Sequence, residues 1–438
     1  MQGLLTLLNP AHARQHYLSG AWKPDSFYTL LRQHARDRSD APAVRDVYRR
    51  WSWRELLERV EVLAQDMHDQ GLQAGARVLV WLPDRAEQLV VMLACSRNGY
   101  VCCASLSAQH DARDAVSLMT RLRCAALVAM PGHGTTRLAS AVFDAARAMS
   151  HLRVIYVVQP GRPVQVDSTG LRAFPLEGSI DALRASEPSL DPDKVIHIDA
   201  RRAVTGDWLG VMHSDNTLLC NGRSLVNQWP GSRDTAVRVL DALHTPLGLL
   251  GIEYMMVSGA EMIIDDRGVR GPALDRLLAA PLGCLIASGQ AVRALLDEID
   301  VRGLSRLGSV RQCYVANGGD VSDVAPRLWA LGVTPLSLHG VPETGMHGQG
   351  AWAEPDGIAH RCTVWQGGAT DQPCALGEVG ELGFKGGALM LGYFDDQGAT
   401  QDAFNASGWL LPGLRARRDA QGTLHPVDAD RPRLPVGV

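Results

Sequence analysis

The sequence predicts an α/β fold with two helix-flanked sheet subdomains and a smaller β-barrel-like subdomain. Three observations lead to this fold class. Helix and strand signals alternate through the first third of the chain, a second such region spans residues 195–345, and short β-like runs between Gly and Pro turns follow residue 352. Strand, helix and strand in succession favour a parallel sheet with helices on its faces.

The first helix and strand of this pattern are well marked. Ser52 and Glu55 have the S-x-x-E spacing of a capping box, and apolar residues follow them at helical intervals. The apolar segment 76–82 is short enough to be a buried strand. Pro83 breaks that strand, and a helix is expected to follow it and to end at Gly99.

The later elements continue the alternation and then change in character. Strands are predicted at residues 124–130 and 154–158, with a helix over 137–149 between them. Short strands at Thr363–Trp365 and Gly380–Lys385 indicate the β-barrel-like unit. The predicted organisation is a first α/β subdomain (1–193), a second α/β subdomain (194–350) and a small β subdomain (351–438), whose last stretch from residue 415 is expected to be a surface hairpin or tail.

The composition excludes several classes of function. The 438 residues are 46% hydrophobic and 21% charged, with a formal net charge of -4, so nothing favours nucleic acid or an anionic membrane as a partner. No run approaches the roughly 20 apolar residues of a membrane helix. There are nine cysteines without a C-x-x-C pair, and the first residues lack a basic secretory start. Buried thiols in a cytoplasmic protein are therefore expected.

General catalytic motifs give little support for other enzymes. The sequence lacks a G-x-S-x-G elbow and a G-x-G-x-x-G loop. His213 is followed directly by a serine and an aspartate, but a triad is assembled by the fold and not by adjacency. His339, Glu343 and His347 would share one helix face and could bind zinc, but Gly and Pro lie among them, so a turn is the favoured interpretation.

Several blocks nevertheless occur in a characteristic order. They are the segment 51–107 with its ARVLVWLPD strand, GVMHSDNTLL (210–219), LHTPLGLLG (243–251), the segment 314–345 that ends HGVPETG, and the segment 377–413 that begins GEVGEL. Their order and content resemble the AMP-binding, or adenylate-forming, superfamily of acyl-CoA synthetases, aryl-CoA ligases and peptide-synthetase adenylation domains. The resemblance covers about residues 26–428 and implies the fold of the large domain of these enzymes.

The resemblance places a phosphate loop, T-S-G-T-T-G-x-P-K-G in the family, on residues 201–210. This segment keeps Thr205, Gly206 and Gly210. Leu209 stands at the position of the lysine and Trp208 at that of the proline. Backbone N–H groups, hydroxyls and a lysine hold the triphosphate in the family, so the change predicts a weakened phosphate site.

The other family positions are partly kept. By resemblance, Glu343 would be the magnesium and phosphate position and, with Thr205, the candidate for catalysis. The remaining candidates for nucleotide contact are Asn317, Gly318, Gly319, His339 and Gly340. Pro342 replaces a phosphate-binding threonine, and Leu414 stands where an aspartate binds the ribose. The acyl pocket is expected near His244, Leu249 and Val341.

These changes predict a pseudoenzyme that keeps a carboxylate- or acyl-binding scaffold and has lost ATP-dependent adenylation. ATP or AMP with Mg²⁺ would be cofactors only where nucleotide binding is retained. The expected partners are a small carboxylate or acyl group, an acyl carrier protein or a ligase partner subunit. The resemblance ends near the family's hinge, so two alternatives stay open: an active ligase with its C-terminal domain supplied in trans, or an acyl transferase or hydrolase that uses His213, His244 or His339.

Overall fold

The computed structural model describes most of the chain, namely residues 6, 8–134, 139–159, 171–174, 187–203, 206–228, 233–316, 321–348, 361–366, 372–420 and 424–427. In these residues the α-helices are, in chain order, α1 (Pro10–Ser19), α2 (Phe27–Asp37), α3 (Trp53–Asp69), α4 (Ala86–Asn98), α5 (Ala112–Leu122), α6 (Ala139–Arg147), α7 (Asp215–Gln228), α8 (Pro246–Ser258), α9 (Pro272–Ala279), α10 (Gly289–Val301), α11 (Ala325–Ala330) and α12 (Gln397–Asp402).

The strands of the described residues are, in the same order, β1 (Pro42–Arg45), β2 (Arg50–Ser52), β3 (Arg77–Trp81), β4 (Val101–Cys103), β5 (Ala126–Ala129), β6 (Val154–Val157), β7 (Leu171–Ala173), β8 (Val195–Arg202), β9 (Trp208–Ser214), β10 (Ala236–Val239), β11 (Met262–Ile263), β12 (Leu282–Ser288), β13 (Gln312–Ala316), β14 (Thr334–Val341), β15 (Gly345–Gly348), β16 (Arg361–Trp365), β17 (Val379–Lys385), β18 (Arg415–Arg418) and β19 (Leu424–Val427).

The described residues divide into two units. Pro24–Arg202 and Trp208–Asp215 belong to the first, and Thr6–Lys23, Ala203–Asp207 and Asn216–Val438 belong to the second. Strands β8 and β9 follow the predicted boundary at residue 193 but lie in the sheet of the first unit. The boundaries after residues 193 and 350 stay predictions.

The first unit contains a seven-stranded sheet in the order β7-β6-β5-β3-β4-β8-β9. Its pairs are parallel except for β8–β9. The local sequence explains the start of α3, because the Ser52 side chain accepts from the Glu55 N–H while Glu55 accepts from the Ser52 N–H. Gly99 ends α4 in the left-handed conformation at φ 70°, as the sequence predicts.

In the second unit, the strands follow the order β15-β14-β13-β12-β10-β11. Neighbours are parallel except for β14–β15. Helices α9, α10 and α11 bury apolar residues in one core with β10, β12 and β13. Helix α8 packs against β10, and a Cβ on its Gly251 would lie 2.3 Å from the Val239 side chain, so this approach requires glycine.

The predicted small β unit is a four-stranded antiparallel sheet in the order β16-β17-β18-β19. The expectation that residues from 415 onward lie outside any core is wrong for β18 and β19. Ala416 and Leu424 are buried with Phe384 in the core of this sheet, because alternate residues of the hairpin face inward. Residues 428–438 lie outside the described part of the chain.

A short N-terminal segment belongs to the second unit. Helix α1 leads into Trp22, whose indole N–H donates to the Gly387 carbonyl at 2.7 Å across 365 residues of sequence. Trp22 packs in a small apolar cluster with Cys220 and Ala388. These contacts fix the start of the described chain to residues near its end.

Two expectations from composition concern membrane helices and cysteines. None of the described helices is long and apolar enough to cross a membrane. All nine cysteines are free thiols, and all except Cys374 are buried. The prediction of buried thiols is therefore confirmed for all but that residue.

Candidate functional site

The predicted phosphate loop is mostly a β-hairpin. Arg201 and Arg202 end β8, while Trp208, Leu209 and Gly210 begin β9, with Arg201 opposite Leu209. The prediction of a loop over the whole of 201–210 is therefore wrong at both ends. Between the two strands, the Ala203 N–H donates to the Asp207 carbonyl at 2.8 Å and the Gly206 N–H donates to the Ala203 carbonyl at 2.9 Å.

Two predicted residues of this segment have different outcomes. Gly206 has φ 88°, which a glycine adopts without strain. Gly210 lies in β9 opposite Ala200 and not in a loop. Thr205 lies outside the described residues, so its predicted role stays a prediction.

The base of the hairpin is fixed to α5. The Arg202 guanidinium lies 2.5 Å from the Asp114 carboxylate and 4.2 Å from the centre of the Trp208 ring. The Trp208 indole N–H donates to the Ser117 hydroxyl at 3.2 Å. The positive charge of Arg202 is thus matched by Asp114 within the first unit. The neighbouring Leu209 is buried, with 7% of its surface exposed.

Arg201, the other arginine of the hairpin, acts on a neighbouring acid. Burial raises the pKa of Asp199 in β8 to about 6, and the charge of Arg201 opposes that rise. Both arginines at the end of β8 therefore interact with carboxylates of the first unit.

The segment with His339, Glu343 and His347 is a hairpin of β14 and β15. His339 lies directly opposite His347, and Val341 lies opposite Gly345. The favoured interpretation, a turn in place of a zinc-binding helix, is confirmed. Among the described residues, no group of three or more His, Cys, Asp or Glu side chains is placed to hold a metal ion. Burial lowers the pKa of His339, which favours its neutral form.

Gly340 and the threonine of the turn explain its shape. Gly340 has φ 152°, and a Cβ there would lie 2.0 Å from the Gly345 carbonyl oxygen. The Thr344 hydroxyl accepts from the Val341 N–H at 3.1 Å. The turn is therefore specified by local sequence, with glycine required where the two strands approach closely.

Glu343 lies at the centre of this turn and is fully buried, at 0% exposure. The Tyr393 hydroxyl donates to the Glu343 carboxylate at 2.9 Å, and the Met390 N–H donates to the Glu343 carbonyl at 2.9 Å. The carboxylate predicted for magnesium is thus part of an internal contact with the segment before α12. Sequence analysis did not identify Tyr393 as its partner.

The three residues that follow β13 in the prediction, Asn317, Gly318 and Gly319, lie outside the described part of the chain. Strand β13 itself ends at Ala316 and is buried. The predicted adenine contacts of these three residues stay predictions.

The predicted acyl pocket residues all belong to the second unit. His244 lies half-buried in the turn before α8, and Leu249 lies half-buried in the first part of that helix. Val341 ends β14 and is buried. Helix α8 packs against β15, so the helix and the hairpin that carry these residues are neighbours. Their joint role as a pocket stays a prediction.

An acidic residue that sequence analysis missed lies in the same helix. Glu253 is buried, and its carboxylate accepts from the Asn221 amide at 2.7 Å. Burial raises the pKa of Glu253 well above its ordinary value, and the Asn221 hydrogen bond opposes this. One acid in the apolar run PLGLLGIEYMMVS was the available signal.

The residues after His213 have a structural role in the first unit. The Asp215 carboxylate, at 0% exposure, lies 2.9 Å from the Lys194 ammonium and accepts from the Phe27 N–H and the Ser96 hydroxyl, both at 2.8 Å. His213 lies opposite His197 in the β8–β9 pair. These contacts give no support to a catalytic His-Ser-Asp arrangement.

Comparison with known proteins places this arrangement in a family. Residues 31–394 match the family model described as AMP-binding enzyme. The chain belongs to the AMP-binding enzyme family. Its fold is correspondingly the α/β fold, with mixed sheets flanked by helices, of the large domain of adenylate-forming enzymes.

Two curated relatives match nearly the whole chain. A 2-hydroxy-7-methoxy-5-methyl-1-naphthoate–CoA ligase from Streptomyces carzinostaticus is 26% identical over 96% of this chain and 77% of its own. A salicylyl-CoA synthase / salicylate adenylyltransferase from a Streptomyces species is 24% identical over 95% of this chain and 77% of its own. The chain is thus similar to acyl- and aryl-CoA ligases of the AMP-binding family.

A solved structure shows the same fold. The anthranilate CoA ligase AuaEII, in complex with anthranoyl-AMP, superimposes with a TM-score of 0.80 and 15% identity over 93% of this chain and 79% of that one. The AMP-binding family therefore accounts for the architecture of the described residues.

The position of the family's ribose-binding aspartate is part of the small sheet in this protein. Leu414, which stands at the position of the ribose-binding aspartate, precedes β18 and packs half-buried against the apolar core of the small sheet. Its backbone bonds to the sheet, because the Leu414 carbonyl accepts from the Leu382 N–H at 2.7 Å. An aliphatic side chain cannot accept hydrogen bonds from ribose hydroxyls.

Proposed function

We propose that this member of the AMP-binding family binds a small carboxylate or acyl group and has lost ATP-dependent adenylation. The observation that carries this proposal is the hairpin at the family's phosphate loop. Leu209, at the lysine position, is buried within β9, and the adjacent Trp208 and Arg202 are held by Ser117 and Asp114 of α5. A triphosphate needs small residues and cationic or hydroxyl donors close to it. Leu209 and Trp208 offer neither, and the guanidinium of Arg202 is already paired with Asp114.

The turn of β14 and β15 supports the same proposal. Glu343, the family's magnesium position, is fully buried and accepts a hydrogen bond from Tyr393. Pro342 has neither a hydroxyl nor an N–H with which to bind a phosphate oxygen. The residues present therefore fit a magnesium triphosphate poorly. Each lost charge-assisted contact typically costs about 1.5–3 kcal/mol, so several together would reduce adenylation by many orders of magnitude.

The ligand that we propose is an aromatic or other small carboxylate, or its acyl derivative. The names of the relatives mention naphthoate, salicylate and anthranilate, which are aromatic acids. His244, Leu249 and Val341 are the candidate pocket residues, one polar and two apolar, a composition typical of small-molecule sites. An acyl carrier protein or an active ligase subunit is the proposed macromolecular partner.

The deciding experiment is calorimetric titration of the protein with ATP and Mg²⁺, alone and with a panel of aryl and alkyl carboxylates, followed by a pyrophosphate-release assay. We expect carboxylate or acyl binding, no nucleotide binding and no pyrophosphate. Nucleotide binding in the micromolar range together with carboxylate-dependent pyrophosphate release would refute the proposal. Glu343→Gln is the matched variant. It should weaken nucleotide binding in a working ligase, but it should leave the calorimetric signal with ATP and Mg²⁺ unchanged in this protein.

An active ligase whose C-terminal domain is supplied in trans is the second candidate. The retained Glu343 and the match of residues 31–394 to AMP-binding enzymes favour it. The same assay, repeated with an added C-terminal domain from a related ligase, distinguishes the two. Pyrophosphate release that appears only with the added domain would establish the second candidate.

A further inference from the structure

A buried arginine lies in the central sheet of the second unit, outside the site described above. Arg238 is the third residue of β10, in the otherwise apolar run AVRV, and is 1% exposed. Its sheet neighbours are Ile263 in β11 and Leu285 in β12. Burying a guanidinium is costly unless its charge is matched and its N–H groups find acceptors.

Only some of the N–H groups of Arg238 have acceptors among the described residues. Nη2 of Arg238 donates to the Gly268 carbonyl at 2.8 Å and lies 3.8 Å from the Asp265 carboxylate. Nε and Nη1 of Arg238 are buried and reach no acceptor among the described residues. Burial lowers the pKa of Arg238, and Asp265 opposes that change.

The nearest carboxylate is already engaged by a second arginine. Nε and Nη2 of Arg276 donate to the same oxygen of Asp265 at 2.9 and 2.7 Å, and its other oxygen accepts from the Arg267 N–H at 3.0 Å. Two guanidiniums therefore share one carboxylate, so the cluster of Arg238, Asp265 and Arg276 carries a net charge of +1 (two positive, one negative). Arg276 is 37% exposed and is hydrated in part, whereas Arg238 is not.

The position in the sheet also favours a ligand. Strand β10 is flanked by β11 on one side and β12 on the other, and both follow it in the chain. Arg238 thus lies near the carboxyl end of the strand where the order reverses, which is where open α/β sheets bind ligands. Val239 faces α8, so Arg238 projects to the opposite face, away from the helix that carries the predicted acyl pocket.

We propose that Arg238 binds a small inorganic anion, of the size of chloride, through Nε or Nη1 beside the turn that carries Asp265 and Gly268. The anion balances the excess positive charge of the cluster and accepts hydrogen bonds from the N–H groups that reach no acceptor among the described residues. The burial of Arg238 and of its sheet neighbours Ile263 and Leu285 restricts the ligand to a small ion. This site is independent of the proposed carboxylate site.

The test is thermal unfolding of the full chain in sodium chloride against sodium gluconate at constant ionic strength. We expect a saturable rise in Tm of about 1–3 °C with chloride, because an ion bound to the folded state stabilises it by mass action. Arg238→Met should abolish this rise. Arg276→Met should also reduce it, because Asp265 is then released to neutralise Arg238. Arg293→Met, which breaks an exposed pair with Asp323, should leave the rise unchanged.

Crystals grown in sodium bromide provide a measurement that does not depend on any variant. An anomalous peak within hydrogen-bond distance of Nε or Nη1 of Arg238 is expected. Water at that position without an anomalous signal, or a wild-type Tm that is the same in chloride and gluconate, would overturn the proposal.

Discussion

Two carboxylates in this protein are equally inaccessible to water and yet are held in very different ways. Asp215 in the first unit and Glu343 in the second are both 0% exposed. Asp215 faces the Lys194 ammonium and accepts from the Phe27 N–H and the Ser96 hydroxyl, whereas Glu343 accepts from the neutral hydroxyl of Tyr393. A cation is thus among the partners of Asp215, and a phenolic hydroxyl is among those of Glu343.

The difference separates residues that build the scaffold from residues that the family uses for chemistry. Asp215 connects the start of α2, the interior of α4 and the residue before β8 within the first unit, so its charge pair has an architectural role. Glu343 stands at the family's magnesium position, where our proposal leaves it without a metal. We infer that a family position can be retained as a packing contact after its ligand is no longer bound.

The largest effect should come from breaking the Asp215 pair. Asp215→Asn leaves the Lys194 ammonium without a buried counter-charge, and the loss of stability should be about 3–5 kcal/mol. The measurement is the free energy of unfolding in urea. The double variant with Lys194→Met and Asp215→Leu should lose less than the sum of the single changes, because no uncompensated charge remains.

The exposed pair of Arg36 and Asp37 provides the control for this prediction. Asp37→Asn should cause no measurable change, because exposed ion pairs contribute little. Equal losses for Asp215→Asn and Asp37→Asn would contradict an architectural role for Asp215.

The next effect concerns the hairpin that carries Glu343. In Gly340→Ala the new Cβ would lie 2.0 Å from the Gly345 carbonyl, at a φ of 152° that other residues rarely adopt. A loss of about 2–3 kcal/mol is expected from the clash and the backbone strain. Gly332→Ala, at a positive φ without neighbours within 4 Å, is the matched control for strain alone and should cost less. Similar losses for the two variants would show that the close approach is not the cause.

A smaller effect concerns His197, a buried titratable residue of β8 in the sheet of the first unit. Burial, with the neighbouring His213, lowers the pKa of His197 to about 3 from 6.5. In the unfolded chain His197 therefore binds a proton near pH 6.5, whereas in the folded chain it does so only near pH 3. This contribution to stability is complete above pH 6.5 and is lost below it by up to about 1.4 kcal/mol per pH unit.

The measurement is the free energy of unfolding at several pH values between 7.5 and 5.0 for the wild type and His197→Gln. The free energy of unfolding of the wild type should fall more steeply with decreasing pH than that of His197→Gln. The difference in slope should correspond to at most one additional proton bound on unfolding. Parallel curves would exclude His197 as the origin of the pH dependence.

The smallest effect should come from the contact of Glu343 itself. Tyr393→Phe removes the donor and should cost about 1–2 kcal/mol. Glu343→Gln keeps an acceptor for the Tyr393 hydroxyl and should cost less, as measured by chemical denaturation. A larger loss for Glu343→Gln than for Tyr393→Phe would indicate that the charge, and not this hydrogen bond, holds the turn in place.

The fold could be predicted in some detail because its signals are local. The Ser52–Glu55 capping box, the apolar strand that became β3 and the glycine that ends α4 each depend on residues within a few positions. The turn at residues 342–344 was likewise favoured by Gly and Pro in the sequence. Propensity and periodicity are sufficient for such elements.

The candidate site was less predictable because its partners are distant in the sequence. Arg202 meets Asp114 across 88 residues, and Tyr393 meets Glu343 across 50. Resemblance identified which positions had changed but not what the new side chains contact. The buried site of Arg238 could not be predicted either, because one arginine in a short apolar strand does not show which residues surround it.

The bond between Trp22 and Gly387 has a consequence for biosynthesis. A ribosome must add a further 365 residues after the tryptophan before its acceptor exists, which takes at least roughly 18 s at about 5–20 residues per second. Until then the docking site of α1 and Trp22 is incomplete, because Cys220 is present but Gly387 and Ala388 are not, and the segment stays available to chaperones and proteases. A segment made early in synthesis is thus among the last of the described residues to complete its native contacts.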